Sequence, residues 1–182
     1  QTLKSSSVNT YGSPNYDVHR ADLQKALLKV INKEEIQIKK NSEIVDLYQE
    51  ANGAFIKTKE RVIGSDAVIG ADGIHSIVRK KLWGEDQARY TGHVAWRMLV
   101  PVEEISSKFI QPNTKVWLGP KKHFVQYLVK GGNFLNCVCL VEQNDWTNED
   151  WSEKGDISEL KHTFSDWHPE IQNILESTKP DS

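Results

Sequence analysis

The sequence has no excess of charge of one sign and no long hydrophobic run. Among its 182 residues, 23 Lys and Arg stand against 25 Asp and Glu, which gives a net charge of −2. Proteins bind a nucleic-acid backbone mainly through an excess of basic side chains, so this balance argues against nucleic acid as a partner. No stretch approaches the about 18 apolar residues of a membrane span, and no signal peptide opens the chain. We therefore expect no integral membrane segment and a cytoplasmic location.

The sequence also lacks the short motifs that mark nucleotide and metal sites. None of its 11 glycines is spaced as G-x-G-x-x-G or G-x-x-x-x-G-K, and no Ser has the flanking glycines of a nucleophile elbow. Neither H-x-x-x-H nor C-x-x-C occurs. The sequence therefore predicts no metal site and no phosphate-binding glycine loop within these residues.

Cysteine is scarce, with Cys137 and Cys139 as the only two. Two positions apart on a strand, their side chains point the same way and are too far apart to form a disulfide easily. A pair of reduced thiols in the core of a cytosolic protein is favoured over a metal or redox pair.

Aromatic residues, by contrast, are plentiful enough to build a core, with six Trp, five Tyr and five Phe. The first 16 residues are rich in Ser and predict a loop. Apolar residues at helical spacing then predict a helix that begins at Arg20, with Asp17 available as its cap. Asn52-Gly53 predicts a hairpin. Short strands are predicted at 35–39, 43–49, 54–58 and 61–63.

Asp66–Ala71 is a run of small apolar residues without polar alternation, which predicts a buried strand of a parallel sheet. It ends at Asp72-Gly73, and a helix is predicted from Ser76 to Trp83, followed by Gly84. After Gly84 the strands become longer and aromatic. They are predicted at 90–102, 114–119, 124–129 and 134–142, followed by an acidic loop at 142–156 and amphipathic pieces at 157–167 and 170–176.

Lys130-Gly-Gly-Asn133 predicts a tight connection between two antiparallel strands. Near residue 85 the predicted strands change from short to longer and aromatic-rich, which predicts that the chain is divided into two parts there. The fold class expected is α/β (α+β), with an α/β part at 1–85 and, at 86–182, a mixed or antiparallel β-sheet with flanking helices.

Three motifs together resemble the FAD-dependent aromatic-ring monooxygenases, the class A flavoprotein group that includes salicylate and 3-hydroxybenzoate hydroxylases. Asp66-Ala-Val-Ile-Gly-Ala-Asp-Gly-Ile-His-Ser-Ile-Val-Arg79 resembles the DG motif of that family. His19-Arg-Ala-Asp-Leu23 is similar to the helix start whose Arg reaches the flavin cofactor, and Thr91–Pro101 to the first strand of the substrate domain. Their order and spacing agree as well.

The family's glycine-rich turn and its later Gly-Asp motif are absent, so the chain is similar to the middle of such an enzyme. The resemblance implies part of a Rossmann-like FAD-binding domain at 1–85 and a substrate-binding domain at 86–182. It also implies that Arg20 and Asp72-Gly73 contact FAD near its pyrophosphate, and that the backbone of Ile44 meets the adenine. The residues alone leave open a solvated Arg20, a core Ile44 and an Asp72 that only caps a helix.

His123 and Tyr127 lie four residues apart on one predicted strand, about 13 Å along it, and could flank a small ring. The resemblance implies that they line the aromatic substrate pocket, where a His is a suitable proton acceptor. The alternatives are a turn His and a half-buried strand Tyr. Arg97 could bind a substrate carboxylate or pair with an acid within the sheet. Because successive side chains of a strand alternate, only one of Trp96 and Arg97 can face the pocket.

The activity that the resemblance implies is hydroxylation of a small phenolic or benzoate-type substrate, with FAD and NAD(P)H as cofactors and a flavin hydroperoxide as the oxidant. Ubiquinone-pathway hydroxylation and epoxidation remain open within the same fold. A non-catalytic remnant that binds a small molecule or a partner chain is the alternative from another class, because a fold alone does not fix a function.

Overall fold

The computed structural model of the chain describes residues 7–31, 33–85, 89–144 and 154–179. They fall into two compact units, one of Gln1–Val30 with Gly92–Ser182 and the other of Ile31–Thr91. The helices are α1 (Ser7–Tyr11), α2 (Arg20–Val30), α3 (Ile77–Trp83), α4 (Ile157–Thr163) and α5 (Pro169–Glu176). The strands are β1 (Ile44–Glu50), β2 (Gly53–Thr58), β3 (Val62–Ser65), β4 (His93–Pro101), β5 (Lys115–Gly119), β6 (Lys122–Val129) and β7 (Phe134–Glu142).

The first unit is built on a four-stranded antiparallel sheet in the order β4-β7-β6-β5. The predicted pairing of Phe124–Val129 with Phe134–Val141 is confirmed, since Val129 lies opposite Phe134 and Lys122 opposite Val141. Gly131 and Gly132 in the connection have φ of 69° and 89°, which glycine adopts without strain.

Helices α4 and α5 cover one face of this sheet and close the core. Phe124 on β6 meets Phe164 edge to face, with ring centroids 5.8 Å apart. Cys137 and Cys139 are free and buried, as predicted. The largest buried side chains of the sheet and the helices form one cluster, which includes Val100, Phe124, Leu160, Phe164, Ile171, Ile174 and Leu175.

The second unit contains the antiparallel sheet β1-β2-β3 and helix α3. The predicted hairpin is confirmed: Glu50 pairs with Gly53. A Cβ atom at Gly53 would lie 2.7 Å from the backbone oxygen of Ser65, so this close approach of β3 requires glycine. Helix α3 begins at Ile77, one residue after the predicted start, because Ser76 is its cap, and Gly84 follows its last residue as predicted.

Three expectations about local structure are wrong. Ser7–Tyr11 is a helix rather than a loop, because Gly12, with φ of 72°, donates to the carbonyl of Val8 and closes its last turn. Residues 35–39 form no strand. Residues 66–70 also form no strand, and Ile69 is 91% exposed.

Residues 66–70 form no strand because no described strand pairs with them. A parallel strand is held by hydrogen bonds to its neighbours, and none of the strands in the described ranges pairs with residues 66–70. The segment is nevertheless shaped by the helix that follows it. A Cβ atom at Gly70 would lie 2.6 Å from Cβ of Val78, so glycine lets the chain pass close to α3.

Candidate functional site

Strand β6 presents two different faces. Phe124 and Gln126 are buried on the side of α4 and α5. Since successive side chains of a strand alternate, His123, Val125 and Tyr127 point to the other side, where all three are half-buried. The predicted common orientation of His123 and Tyr127 therefore agrees with the strand geometry.

Strand register brings Arg97 to the same side. Val138 on β7 lies opposite both Val125 and Arg97, while the neighbour of Arg97, Trp96, packs against the core. Of Trp96 and Arg97, it is thus Arg97 that shares a face with His123 and Tyr127. We call this face the open face; it includes Arg97, His123, Val125, Tyr127, Asn136, Val138 and Leu140.

The open face combines an apolar floor with polar groups around it. Val125 and Val138 form the middle, and His123 and Tyr127 stand on either side of Val125, about 13 Å apart along the strand. Arg97 lies two strands from β6, about 10 Å across the sheet. These spacings leave room for one small planar ring, with a cation, an imidazole and a phenol at its edge.

Asp72 makes hydrogen bonds to the start of α3 through both of its carboxylate oxygens. Its Oδ1 accepts a hydrogen bond from the Ser76 hydroxyl at 2.5 Å, and its Oδ2 accepts from the backbone N–H of Ile77 at 2.8 Å and of Val78 at 3.3 Å. The Ser76 hydroxyl, followed by these N–H groups, lowers the pKa of the Asp72 carboxyl. Both carboxylate oxygens are thus engaged in capping α3, and the N–H groups at its start are not free for an anion.

Gly73 and Arg20 are accessible to a ligand. Gly73 has φ of 76°, and no heavy atom lies within 4 Å of the place where its Cβ would be, so its backbone is open to close approach. Arg20 is exposed at the start of α2, and no residue in the described ranges forms an ion pair with it. Each of these two positions, taken by itself, could contact an anionic cofactor group, and a contact of Asp72 with FAD stays a prediction.

Ile44 is half-buried at the start of β1, opposite Thr58 on β2. Because β1 is an edge strand of its sheet, alternate backbone groups point away from β2. A contact between the Ile44 backbone and adenine stays a prediction. Ile44, Asp72 and Gly73 belong to the second unit, and Arg20 and the open face to the first.

Sequence reasoning missed two polar features of the first unit. One is a buried cluster behind the open face, where Oε1 of Glu170 accepts from Lys115 Nζ at 2.6 Å and from Gln126 Nε2 at 2.7 Å. The other is Asn136, which lies on the open face opposite Tyr127. The signal for Asn136 was available, since it is the polar residue in an alternating run that continues with Val138 and Leu140.

The four described ranges contain neither a metal cluster nor a membrane-spanning helix. No three His, Cys, Asp or Glu side chains in them come together as a metal site would require. No helix in them has both the length and the apolar character to cross a bilayer.

No protein-family model matches the sequence. A 3-amino-4-hydroxybenzoate 2-monooxygenase from Streptomyces cremeus is 30% identical over 167 residues, which cover 92% of this chain and 41% of the relative. The 3-hydroxybenzoate 6-hydroxylase 2 of Aquipseudomonas alcaligenes is 29% identical over 172 residues, covering 93% of this chain and 53% of the relative. The chain therefore spans about half the length, or less, of these curated relatives.

Solved structures share the fold. HpxO of Klebsiella pneumoniae, complexed with FAD and uric acid, superposes with a TM-score of 0.73 at 24% identity, covering 90% of this chain and 41% of HpxO. A salicylate hydroxylase substrate complex gives a TM-score of 0.70 at 23% identity, with 88% of this chain and 44% of the hydroxylase covered. The expected fold class is confirmed.

Proposed function

We propose that this chain, a homologue of the FAD-dependent aromatic monooxygenases, contributes the substrate-binding sheet and part of the flavin-binding domain of such an enzyme. Residues 1–85 belong to the FAD-binding domain and residues 86–182 to the substrate domain. The reaction is the FAD- and NAD(P)H-dependent hydroxylation of a small aromatic acid. The observation that carries this proposal is the arrangement of Arg97, His123 and Tyr127 around an apolar floor.

The residues of this chain account for only part of the cofactor's binding. Arg20 offers planar donors to a phosphate or ribityl oxygen, and Gly73 allows close backbone approach. Asp72 holds the turn in shape through its bonds to α3. The backbone of Ile44 meets the adenine. When bound, FAD supplies the oxygen chemistry after reduction by NAD(P)H.

The open face orients and activates the substrate. Arg97 binds the carboxylate of an aromatic acid through its planar donors. His123 accepts the proton of a ring hydroxyl, which makes the ring more electron-rich and easier to hydroxylate. Tyr127 holds the opposite edge of the ring. Val125 and Val138 contact the ring face and exclude water from it.

The test uses the intact enzyme that contains this chain. His123→Ala should lower kcat/KM about a hundredfold or more, since a positioned proton acceptor contributes at least that much. Tyr127→Phe should raise KM or lower kcat, because only the hydroxyl is lost. Two substitutions of the same kind away from the open face serve as controls: His162→Ala on α4, and Tyr48→Phe, whose ring stacks on Phe55 at 5.1 Å. Unchanged kcat and KM in both open-face variants would show that the assignment is wrong.

A further inference from the structure

A hydrogen bond between Asp17 and Thr114 joins the segment before α2 to the four-stranded sheet. The Thr114 hydroxyl donates to Oδ2 of Asp17 at 2.7 Å, although the two residues are 97 positions apart in the sequence. Both belong to the first unit. Helix α2 begins at Arg20, and the carbonyl of His19 accepts its first hydrogen bonds, so Asp17 lies ahead of the capping position that the sequence predicts for it. Its carboxylate is directed to the sheet instead.

This hydrogen bond meets the sheet on the side of the open face. Thr114 directly precedes the edge strand β5, and its neighbour Lys115 contacts Glu170 on the side of α4 and α5. Because successive side chains of an extended chain alternate, Thr114 points to the other side, together with Val116, which lies opposite Val125 of the open face. The segment before α2 is therefore held at the β5 edge of the open face.

The same contact limits where Arg20 can lie. Arg20 follows Asp17 by three positions, and three residues of fully extended chain span at most about 11 Å between Cα atoms. His19, directly before Arg20, is half-buried, so the segment is packed at this point. The Cα atom of Arg20 is thus kept within that distance of Asp17, beside the edge of the open face.

We propose that Asp17 and Thr114 are positioning residues that fix the distance between Arg20, which contacts the flavin cofactor, and the open face, which binds the aromatic ring. This inference rests on the proposed function. The delivery of an oxygen atom to the ring requires a defined separation, and a misplacement of about 1 Å can lower the rate about a hundredfold. Hydride transfer from NAD(P)H involves no atom of the aromatic ring. Loss of the hydrogen bond should therefore affect oxygen delivery more than NAD(P)H oxidation.

NMR of the 15N-labelled chain tests the contact without any cofactor. Thr114→Val removes the hydroxyl but keeps the shape of the side chain, so it should shift the backbone amide signals of residues 17–20. Thr114→Ser keeps the hydroxyl and should shift them less. The matched control is Thr163→Val, because the Thr163 hydroxyl donates to the carbonyl of Glu159 within α4 at 2.8 Å. If the signals of residues 17–20 stay in place in Thr114→Val, the inference is refuted.

The intact enzyme that contains this chain, saturated with FAD, tests the consequence with 3-hydroxybenzoate. When no oxygen atom reaches the ring, each NAD(P)H and O2 give NAD(P)+ and H2O2 in place of hydroxylated product and water. We expect Thr114→Val and Asp17→Leu each to lower the ratio of hydroxylated product to H2O2 about two- to tenfold, the effect of one hydrogen bond of ordinary net strength.

Three further variants separate the hydrogen bond from other effects of the substitutions. The double variant Asp17→Leu with Thr114→Val should be no worse than either single variant, because both remove the same bond. Asp17→Asn and Thr114→Ser keep an acceptor and a donor, so they should retain the product ratio. A variant that is only less stable loses product and H2O2 together, so the ratio distinguishes positioning from a structural role.

The outcomes separate the two proposals. If the unmodified enzyme hydroxylates 3-hydroxybenzoate and Thr114→Val leaves the product ratio unchanged, the inference is refuted and the proposed function stands. Additive losses in the double variant would also refute the inference, since the two residues would then act separately. If the unmodified enzyme hydroxylates neither 3-hydroxybenzoate nor salicylate, the proposed function is refuted and the inference with it.

Discussion

The buried ion pair between Lys115 and Glu170 offers a prediction whose size follows from the structure. The Glu170 side chain is 7% exposed and that of Lys115 19%, with Nζ and Oε1 2.6 Å apart. Replacing Lys115 by Met leaves a carboxylate among apolar side chains with Gln126 as its remaining partner. Removing one member of a buried pair costs about 3–5 kcal/mol, and the partial exposure of Lys115 favours the lower end, about 3 kcal/mol.

A second substitution separates the free-energy cost of leaving the Glu170 carboxylate buried without Lys115 from the cost of the lost contact itself. In Lys115→Met combined with Glu170→Gln, no charge is buried, and the new amide can still bond to Gln126. We expect the double variant to recover to within about 1 kcal/mol of the parent, because a net hydrogen bond contributes about that much. The double variant would then be about 2 kcal/mol more stable than Lys115→Met alone.

Hydrogen exchange of the α5 amides measures these differences locally, as the free energy of opening. The control is Lys179→Met, which removes the partner of Glu104 at a site where the Lys side chain is 69% exposed. Exposed pairs contribute about 0–1 kcal/mol. If Lys115→Met destabilises α5 no more than Lys179→Met destabilises its surroundings, the ion pair does not hold α5 to the sheet.

Three further predictions concern the rest of the chain. The lowered pKa of Asp72 means that its cap on α3 is present above about pH 4 and is lost as the pH falls through the folded pKa. The 13Cα shifts of α3 should therefore show fraying in acid, and Asp72→Ala should show the same fraying already at pH 7. Shifts that do not change with pH would contradict the cap. Burial raises the pKa of the Cys137 and Cys139 thiols, so both should react with DTNB only after unfolding in urea, and fast labelling of the native chain would contradict their burial. The chain alone should neither bind FAD tightly nor oxidise NAD(P)H, because it lacks the glycine-rich turn that grips the ADP half; stoichiometric fluorescence quenching with turnover would refute this.

Elements that depend on nearby residues were predictable from the sequence. The β6–β7 pair needs only the turn at 130–133 and alternation, and α3 needs only Ser76 and Gly84 at its ends. The 66–70 segment was not predictable because its conformation depends on strands to pair with, which none of the described elements supplies.

The candidate site divides in the same way. Alternation alone placed His123 and Tyr127 on one face, but adding Arg97 required the β4–β7 register, which joins residues about 40 positions apart. The role of Asp72 as a cap depends on the geometry of its hydrogen bond with Ser76, which a sequence motif does not specify. Glu170 lies 55 residues from Lys115, so no local pattern indicated their contact.

Binding of an aromatic carboxylate at Arg97 is the most direct test of the substrate-binding role of the open face. Calorimetry should compare 3-hydroxybenzoate with the neutral 3-hydroxybenzyl alcohol, on the unmodified chain and on Arg97→Met. We expect the unmodified chain to prefer the carboxylate by about tenfold or more, as a charge-assisted hydrogen bond predicts, and Arg97→Met to lose that preference. If the unmodified chain and Arg97→Met prefer the carboxylate over the alcohol to the same extent, the assignment of the open face as the site of an aromatic acid is contradicted.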